Sequence, residues 1–326
     1  MKRAFVAGTA IIGTALFAYS IKTLGLTTIQ EAFVRIGWGF GGILLLSGAR
    51  EAVRTLAWTH TIEGPVRLSF RDAFRARLAG EALNTLLPMG MLVGEPMKAE
   101  HVGHRLPFAT AFSALVVEFA FYGVSLVLLF SAGVVTLFPS SAVLFVAVMA
   151  FMVVPFVRNR NGGLGIVEPR NASQPHVANV ITRVLEKLRG LGDSVLRFAS
   201  VNPGRAGRLV ALEVAFQVFA VAEVYLTLSL IMPQHVAWSS ALALETVSRA
   251  VTILFKMLPM RLGVDEAGAA VFADRLGLGS ATGITLALVR RMRLLCWSAV
   301  GIVFVLMRST RRSAAPAAVA IASARP

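Results

Sequence analysis

The strongest constraint on this chain is a series of apolar runs, each near the length of a bilayer crossing, separated by basic segments. The runs are Phe5–Ile21, Gly37–Trp58, Ala109–Phe130, Ala142–Val157, Leu209–Met232, Trp238–Phe255 and Thr285–Met307. A helix needs about 20 predominantly apolar residues to cross the hydrocarbon core, where only helices and closed barrels satisfy their backbone polar groups. Hydrophobic residues make up 56% of the 326 and charged residues only 15%, with a mean hydropathy of +0.72. Soluble domains carry about 25% charged residues. The excess apolar surface therefore faces lipid, and the expectation is an all-α, polytopic membrane protein with about seven transmembrane helices, six to eight being the range.

Net charge is +15, with 32 Lys and Arg against 17 Asp and Glu. In a soluble chain this balance points to nucleic acid, but no nucleic-acid motif accompanies it and the basic residues fall mostly between apolar runs. They read instead as orientation signals and contacts with anionic headgroups in a cytoplasmic (inner) membrane. Lys2 and Arg3 place the N-terminus in the cytoplasm. No small-residue cleavage site precedes Lys22, so the first run is expected to be a retained span rather than a signal peptide. Arg54, Arg67, Arg71, Arg75 and Arg77 crowd the next cytoplasmic segment, and Lys98, His101, His104 and Arg105 follow. The lone Cys296 excludes an internal disulfide or a cysteine cluster and is expected to pack; no metal or cofactor is expected.

These signals divide the chain into a first membrane half (1–157), a basic cytoplasmic loop (158–208), a second membrane half (209–312) and an Ala/Pro/Ser-rich tail (313–326) expected to be disordered. The loop holds Val177, Val180, Ile181, Val184, Leu185, Leu188 and Leu191 at helical spacing, an amphipathic helix that either lies on the membrane or links the halves. Gly37 and Gly41 form a GxxxG, with Gly39 and Gly42 beside them, and are a weak candidate for a close helix contact.

Two segments interrupt the apolar pattern in corresponding places. In 81–98, Pro88, Gly90 and Gly94 loosen the backbone beside Glu95 and Lys98. In 258–276, Pro259, Gly263 and Gly268 do the same beside Arg261, Asp265 and Glu266. Freed backbone groups are tolerated in a membrane only where protein or water covers them, and paired breaks in two halves mark transporter-type sites. The expectation is two re-entrant hairpins meeting at a polar cavity, with Pro88, Gly94, Pro259 and Gly263 as the breaks.

Ionisable groups at bilayer depth cost at least about 2.5 kcal/mol on insertion scales, so each needs a partner or a task. Glu118 and Glu223 lie well inside their runs; Glu223 has no partner near in sequence and must pair across helices, titrate or line a wet cavity. Glu245 and Arg249 stand four apart on one helix face. Glu51 and Arg54 read as a structural or interfacial pair, because arginine can snorkel. Arg290-Arg291-Met292-Arg293 reads either as an edge cluster or as a headgroup site.

Glu81…Asn84…Leu87-Pro88…Gly94-Glu95-Pro96-Met97-Lys98 resembles the first signature of the lysylphosphatidylglycerol synthase transmembrane region, the flippase-like family. Pro259…Leu262-Gly263-Val264-Asp265-Glu266-Ala267-Gly268, then Leu276-Gly277-Leu278 and Arg290-Arg291…Trp297…Gly301, resembles the second. The resemblance implies a bacterial or archaeal membrane protein that translocates lipid, with Glu81, Asn84, Glu95, Lys98, Glu266 and Arg290 at the cavity. Met89-Gly90-Met91 departs from the small or polar residues usual in relatives, and Asp265 adds an acid before Glu266. The sequence ends at Pro326, so no soluble aminoacyl-transferase domain is expected.

The leading expectation is therefore a non-enzymatic, flippase-like transporter of an anionic or polyprenyl/hopanoid-type lipid. Its cavity residues would be Glu81, Asn84, Glu95, Lys98, Glu118, Glu245, Arg249, Arg261, Asp265, Glu266, Arg290 and Arg291. Membrane lipids are the expected partners, nucleic acid is not, and a homo-oligomer is left open. The alternatives are an intramembrane enzyme using Glu95 or Glu266 as acid or base, and a membrane scaffold acting through the basic loop.

Overall fold

A computed structural model describes residues 36–62, 67–87, 90–137, 197–255 and 264–323, the last stretch with side chains through Met307. Among the described residues the fold is all-helical, without strands. The helices are α1 (Gly39–Thr61), α2 (Phe70–Leu86), α3 (Met91–His101), α4 (Phe108–Leu137), α5 (Pro203–Ile231), α6 (Trp238–Leu254), α7 (Val264–Arg275) and α8 (Ser280–Ser323). The runs Phe5–Ile21 and Ala142–Val157, most of the basic loop, and the candidate residues Pro88, Pro259, Arg261 and Gly263 lie outside the described residues.

Helix ends follow local chemistry. Leu87, directly before Pro88, is extended (φ −85°, ψ 143°) and closes α2, as expected where the proline ring crowds the preceding residue out of the α region. Pro203 opens α5 in its first turn, ahead of the expected start at Leu209, where its missing N–H costs no hydrogen bond. Asp265 and Glu266 occupy the first turn of α7, where carboxylates complement the positive end of the helix dipole. The turn from α7 to α8 carries Gly277 (φ 72°) and Gly279 (φ 80°), backbone angles that strain any residue with a Cβ. The helix backbone of α8 runs on to Ser323 through the expected disordered tail; the stretch is Ala-rich, and alanine is the strongest helix former.

Two helix–break–helix hairpins organise the molecule. In the first, α2 packs on α3; in the second, α6 packs on α7. Trp58, Ala73, Ala76, Ala99, Val102 and Leu115 form an apolar core joining the first hairpin to α1 and α4. Leu129, Val224, Leu228, Leu244, Ala273 and Leu286 form a second core joining the other hairpin to α4, α5 and α8. Helix α8 packs against both α2 and α7, which ties the hairpins together. At the α2–α8 contact a Cβ on Gly301 would collide with the Leu78 carbonyl oxygen, so only glycine allows this approach. Gly94 is equally constrained, held against the Gly80 carbonyl and the Asn84 side chain inside the first hairpin.

The close α1–α5 contact uses different glycines from the expected pair. Gly39 and Gly42 meet Leu230 and Leu226 of α5, whereas Gly37 and Gly41 have nothing within 4 Å. The motif has the right spacing, but the helix rotation turns its neighbours inward instead. Cys296 is free and packs half-buried against Ile36, Phe40 and Ile43.

Helices α4 and α5 are, by length and composition alone, able to cross a membrane. The outer surface is apolar in the way a lipid-facing surface requires: Leu45, Leu254, Val303, Leu306 and Met307 are all exposed. On the remaining helices Arg50, Arg77, Glu245 and Arg291 are buried, while Arg71 and Arg75 of α2 and Asp274 and Arg275 of α7 are exposed.

Candidate functional site

All eight of these helices line one cavity of about 440 Å³ between the two hairpins. The first hairpin contributes Glu81, Asn84, Thr85, Met91, Leu92 and Glu95; the second contributes Glu245, Ser248, Arg249, Thr252 and Asp265. Arg50, Glu51 and Arg54 come from α1, Tyr122 from α4, Phe216 and Glu223 from α5, and Arg290, Arg291, Arg293 and Trp297 from α8.

The charges are balanced formally but not in space. On the arginine side, single carboxylates serve two arginines each. Glu223 Oε2 accepts from Arg50 at 2.6 Å and from Arg293 at 2.8 Å. Glu245 accepts from Arg249 at 2.7 Å and from Arg290 at 2.5 Å. Behind the wall, Glu118 Oε1 accepts from Arg54 and from Arg77, both at 2.9 Å. The first hairpin reverses the ratio: the Lys98 ammonium, 1% exposed, donates to Glu81 at 2.6 Å and to Glu95 at 2.7 Å. Asn84 Nδ2 also donates to Glu95, at 3.0 Å. The cavity is therefore polarised, with arginines doubled on one side and carboxylates doubled on the other.

Arginine can hold these sites because its delocalised, weakly hydrated guanidinium tolerates burial better than an ammonium. Aromatic faces assist. The ring of Phe216 lies 4.8 Å from the Arg50 guanidinium carbon, 5.3 Å from that of Arg54 and 5.4 Å from that of Arg249. Tyr122 stacks under Arg54 at 4.4 Å. A ring's negative face partly offsets the repulsion between neighbouring arginines. Spare donors remain: Arg50 Nε and Arg293 Nε are buried with no hydrogen-bond partner.

The expected site residues gather here in two layers. Glu81, Asn84, Glu95, Glu245, Arg249, Asp265, Arg290 and Arg291 line the cavity. Lys98, Glu118 and Glu266 stand behind it, bonded to the lining residues Glu81 and Glu95, Arg54, and Arg291 respectively. Gly94 packs within the first hairpin. The Arg290–Arg293 cluster, one of whose readings was a membrane-edge group, lies inside α8 and faces the cavity.

Two readings are corrected. Arg77, expected among the cytoplasmic loop charges, is 0% exposed within α2, because its partner Glu118 lies 41 residues away, beyond any local count of charges. Arg54 pairs with Glu118 rather than Glu51. Arg50, beside that pair in the sequence, bonds Glu223, 173 residues distant. Glu223 does what a lone acid in a span must, pairing across helices. Phe216 and Trp297, which donates to Ser47 at 2.5 Å, carry no sequence signal that separates them from other apolar-run aromatics.

Neither curated proteins nor solved structures give a match to this chain. The family model described as Lysylphosphatidylglycerol synthase TM region matches residues 5–301. With its helical fold, its lipid-suited surface and this match across most of its length, the chain belongs to the lysylphosphatidylglycerol synthase transmembrane-region family and is a helical membrane protein.

Proposed function

We propose that the protein translocates a phosphate-bearing lipid, anionic or polyprenyl-type, by passing its headgroup through the cavity while the tails stay in the bilayer. The carrying observation is the doubling of arginines on Glu223 and Glu245 in a cavity both hairpins line. A phosphate offers more acceptor positions than a carboxylate and matches the guanidinium fork in bidentate fashion. Arriving there, it takes over donors that two arginines share on one carboxylate, together with the spare Nε groups of Arg50 and Arg293. Protein charges thus replace the water the headgroup loses, which lowers the desolvation barrier that blocks unassisted passage.

The apolar lining suits the rest of an amphiphile. Leu92 lines the cavity and is 65% exposed, with Met91 and Phe119 beside it as exposed apolar groups. The carboxylates that acid–base chemistry would need are occupied: Glu95 by Lys98 and Asn84, and Glu266 by Arg291. This favours transport over the enzymatic alternative.

Proteoliposomes holding fluorescent lipids test the proposal. The expected result is faster movement of a phosphatidylglycerol or polyprenyl-phosphate probe between leaflets than in protein-free vesicles, lost in Arg290→Gln. Equal rates with and without protein, across anionic, zwitterionic and polyprenyl-phosphate probes, would sink it.

A further inference from the structure

The face of α2 that packs on α8 begins with two arginines. Arg71, Arg75, Leu78, Ala79 and Ala82 fall at i, i+4, i+7, i+8 and i+11, one face of the helix. Leu78 and Ala82 meet Gly301 of α8, and Ala79 packs on Val305. The Arg75 guanidinium lies over the Phe304 ring at 5.9 Å. These contacts move towards the start of α2 as α8 advances, so the two helices run antiparallel and the next turns of α8 pass Arg71. The backbone there carries Arg308 and Arg312, at i+7 and i+11 from Gly301. Arginine therefore occupies facing registers of two packed helices.

Like charges in such registers repel unless an anion lies between them. Arg71 and Arg75 are exposed, and among the described residues neither has a carboxylate partner. Asp72, the acid between them in sequence, turns to His104 and Arg105 at 3.8 and 3.6 Å. Neither arginine lines the cavity. Towards the same end, α8 exposes Val300, Val303 and Met307. At i, i+3 and i+7 they form one apolar track about 10 Å long. An apolar track that leads up to unpaired arginines has the polarity of an anionic amphiphile. Guanidinium groups take phosphate in bidentate fashion, and basic pockets between membrane helices bind anionic headgroups.

We infer that the α2–α8 groove is a second lipid site, occupied by an anionic phospholipid of the surrounding bilayer. Its phosphate rests on Arg71 and Arg75, and an acyl chain follows Val300, Val303 and Met307. The site stands whether or not the cavity moves lipid. Its occupant neutralises charges that otherwise repel across the helix pair, and so tightens the crossing that ties the two hairpins together.

Photolabelling of the full chain in phosphatidylcholine nanodiscs tests this. The probe is a trace of phosphatidylglycerol with a diazirine in its acyl chain, and labelled peptides are mapped by mass spectrometry. Label should concentrate on residues 300–307, and the same diazirine on phosphatidylcholine should not concentrate there. Each arginine at an anionic headgroup contributes about fivefold in binding, so replacing both Arg71 and Arg75 with Gln should cut the label about tenfold or more. Replacing both with Lys keeps the charge and should retain part of the label, and this pair also serves if the glutamine protein does not fold. Arg290→Gln, in the cavity, should leave the label unchanged. Equal labelling by the two lipids, or a label that survives the loss of both arginines, reduces the groove to ordinary bilayer contact and overturns the site. A label lost in Arg290→Gln places the lipid in the cavity and overturns it as well.

Discussion

At the scale of single residues, the molecule is organised by buried charges that have no near neighbour of opposite sign in sequence. Glu223 is 3% exposed and holds both Arg50 and Arg293. Removing one partner of a buried ion pair leaves a desolvated charge behind and costs about 3–5 kcal/mol. Glu223→Leu, which strands two arginines, should fall at or above that range in chemical denaturation of the detergent-solubilised protein. A loss under about 1 kcal/mol, typical of exposed pairs, would mean that the arginines are solvated in the native state. Arg293→Lys should also weaken the protein, because a compact, strongly hydrated ammonium replaces a weakly hydrated planar cation in the same buried position.

At the scale of elements, the hairpins were readable and their partners were not. Pro88 with its flanking glycines predicts a break, and the extended Leu87 between α2 and α3 is that break. The i, i+4 spacing of Glu245 and Arg249 predicts a pair, and the side chains meet at 2.7 Å. These features depend on residues within a turn of each other. The α2–α8 crossing depends on residues more than 200 positions apart, and nothing near Gly301 in sequence marks it as the contact glycine. The glycines themselves discriminate. Gly41 faces open space, so Gly41→Ala should be neutral or stabilise by up to about 1 kcal/mol through helix propensity. Gly301→Ala meets the Leu78 carbonyl, a backbone atom that cannot rotate away. It should cost about 1–3 kcal/mol, as overpacking does, and lower the thermal midpoint where Gly41→Ala does not. Equal effects at the two positions would show that α2 and α8 do not cross as described.

At the scale of the whole molecule, one cavity draws acids from the first hairpin and arginine-bridged carboxylates from α5 and the second hairpin, with α8 supplying arginines between them. This arrangement exists only when both hairpins and α8 are in place, so a ligand of the cavity must stabilise the entire fold. A ligand that binds the native state alone adds about 2.7 kcal/mol of stability at a concentration one hundred times its Kd. Glycerol phosphate, a soluble stand-in for a phospholipid headgroup, should therefore raise the thermal midpoint of the purified protein in proportion to the logarithm of its concentration. Glycerol, which lacks the phosphate, should not. Arg290→Gln removes one of the two arginines on Glu245 and should reduce the phosphate-dependent rise. Glu95→Gln, on the first hairpin, should leave the rise intact or enlarge it, because it removes a negative charge from the same cavity. Identical rises in all three proteins would place the phosphate outside this cavity. The opposite responses expected at Arg290 and Glu95 are the sharpest consequence of the polarised lining, because a ligand held by net charge alone would not separate Arg290 from the distant basic residues on the surface.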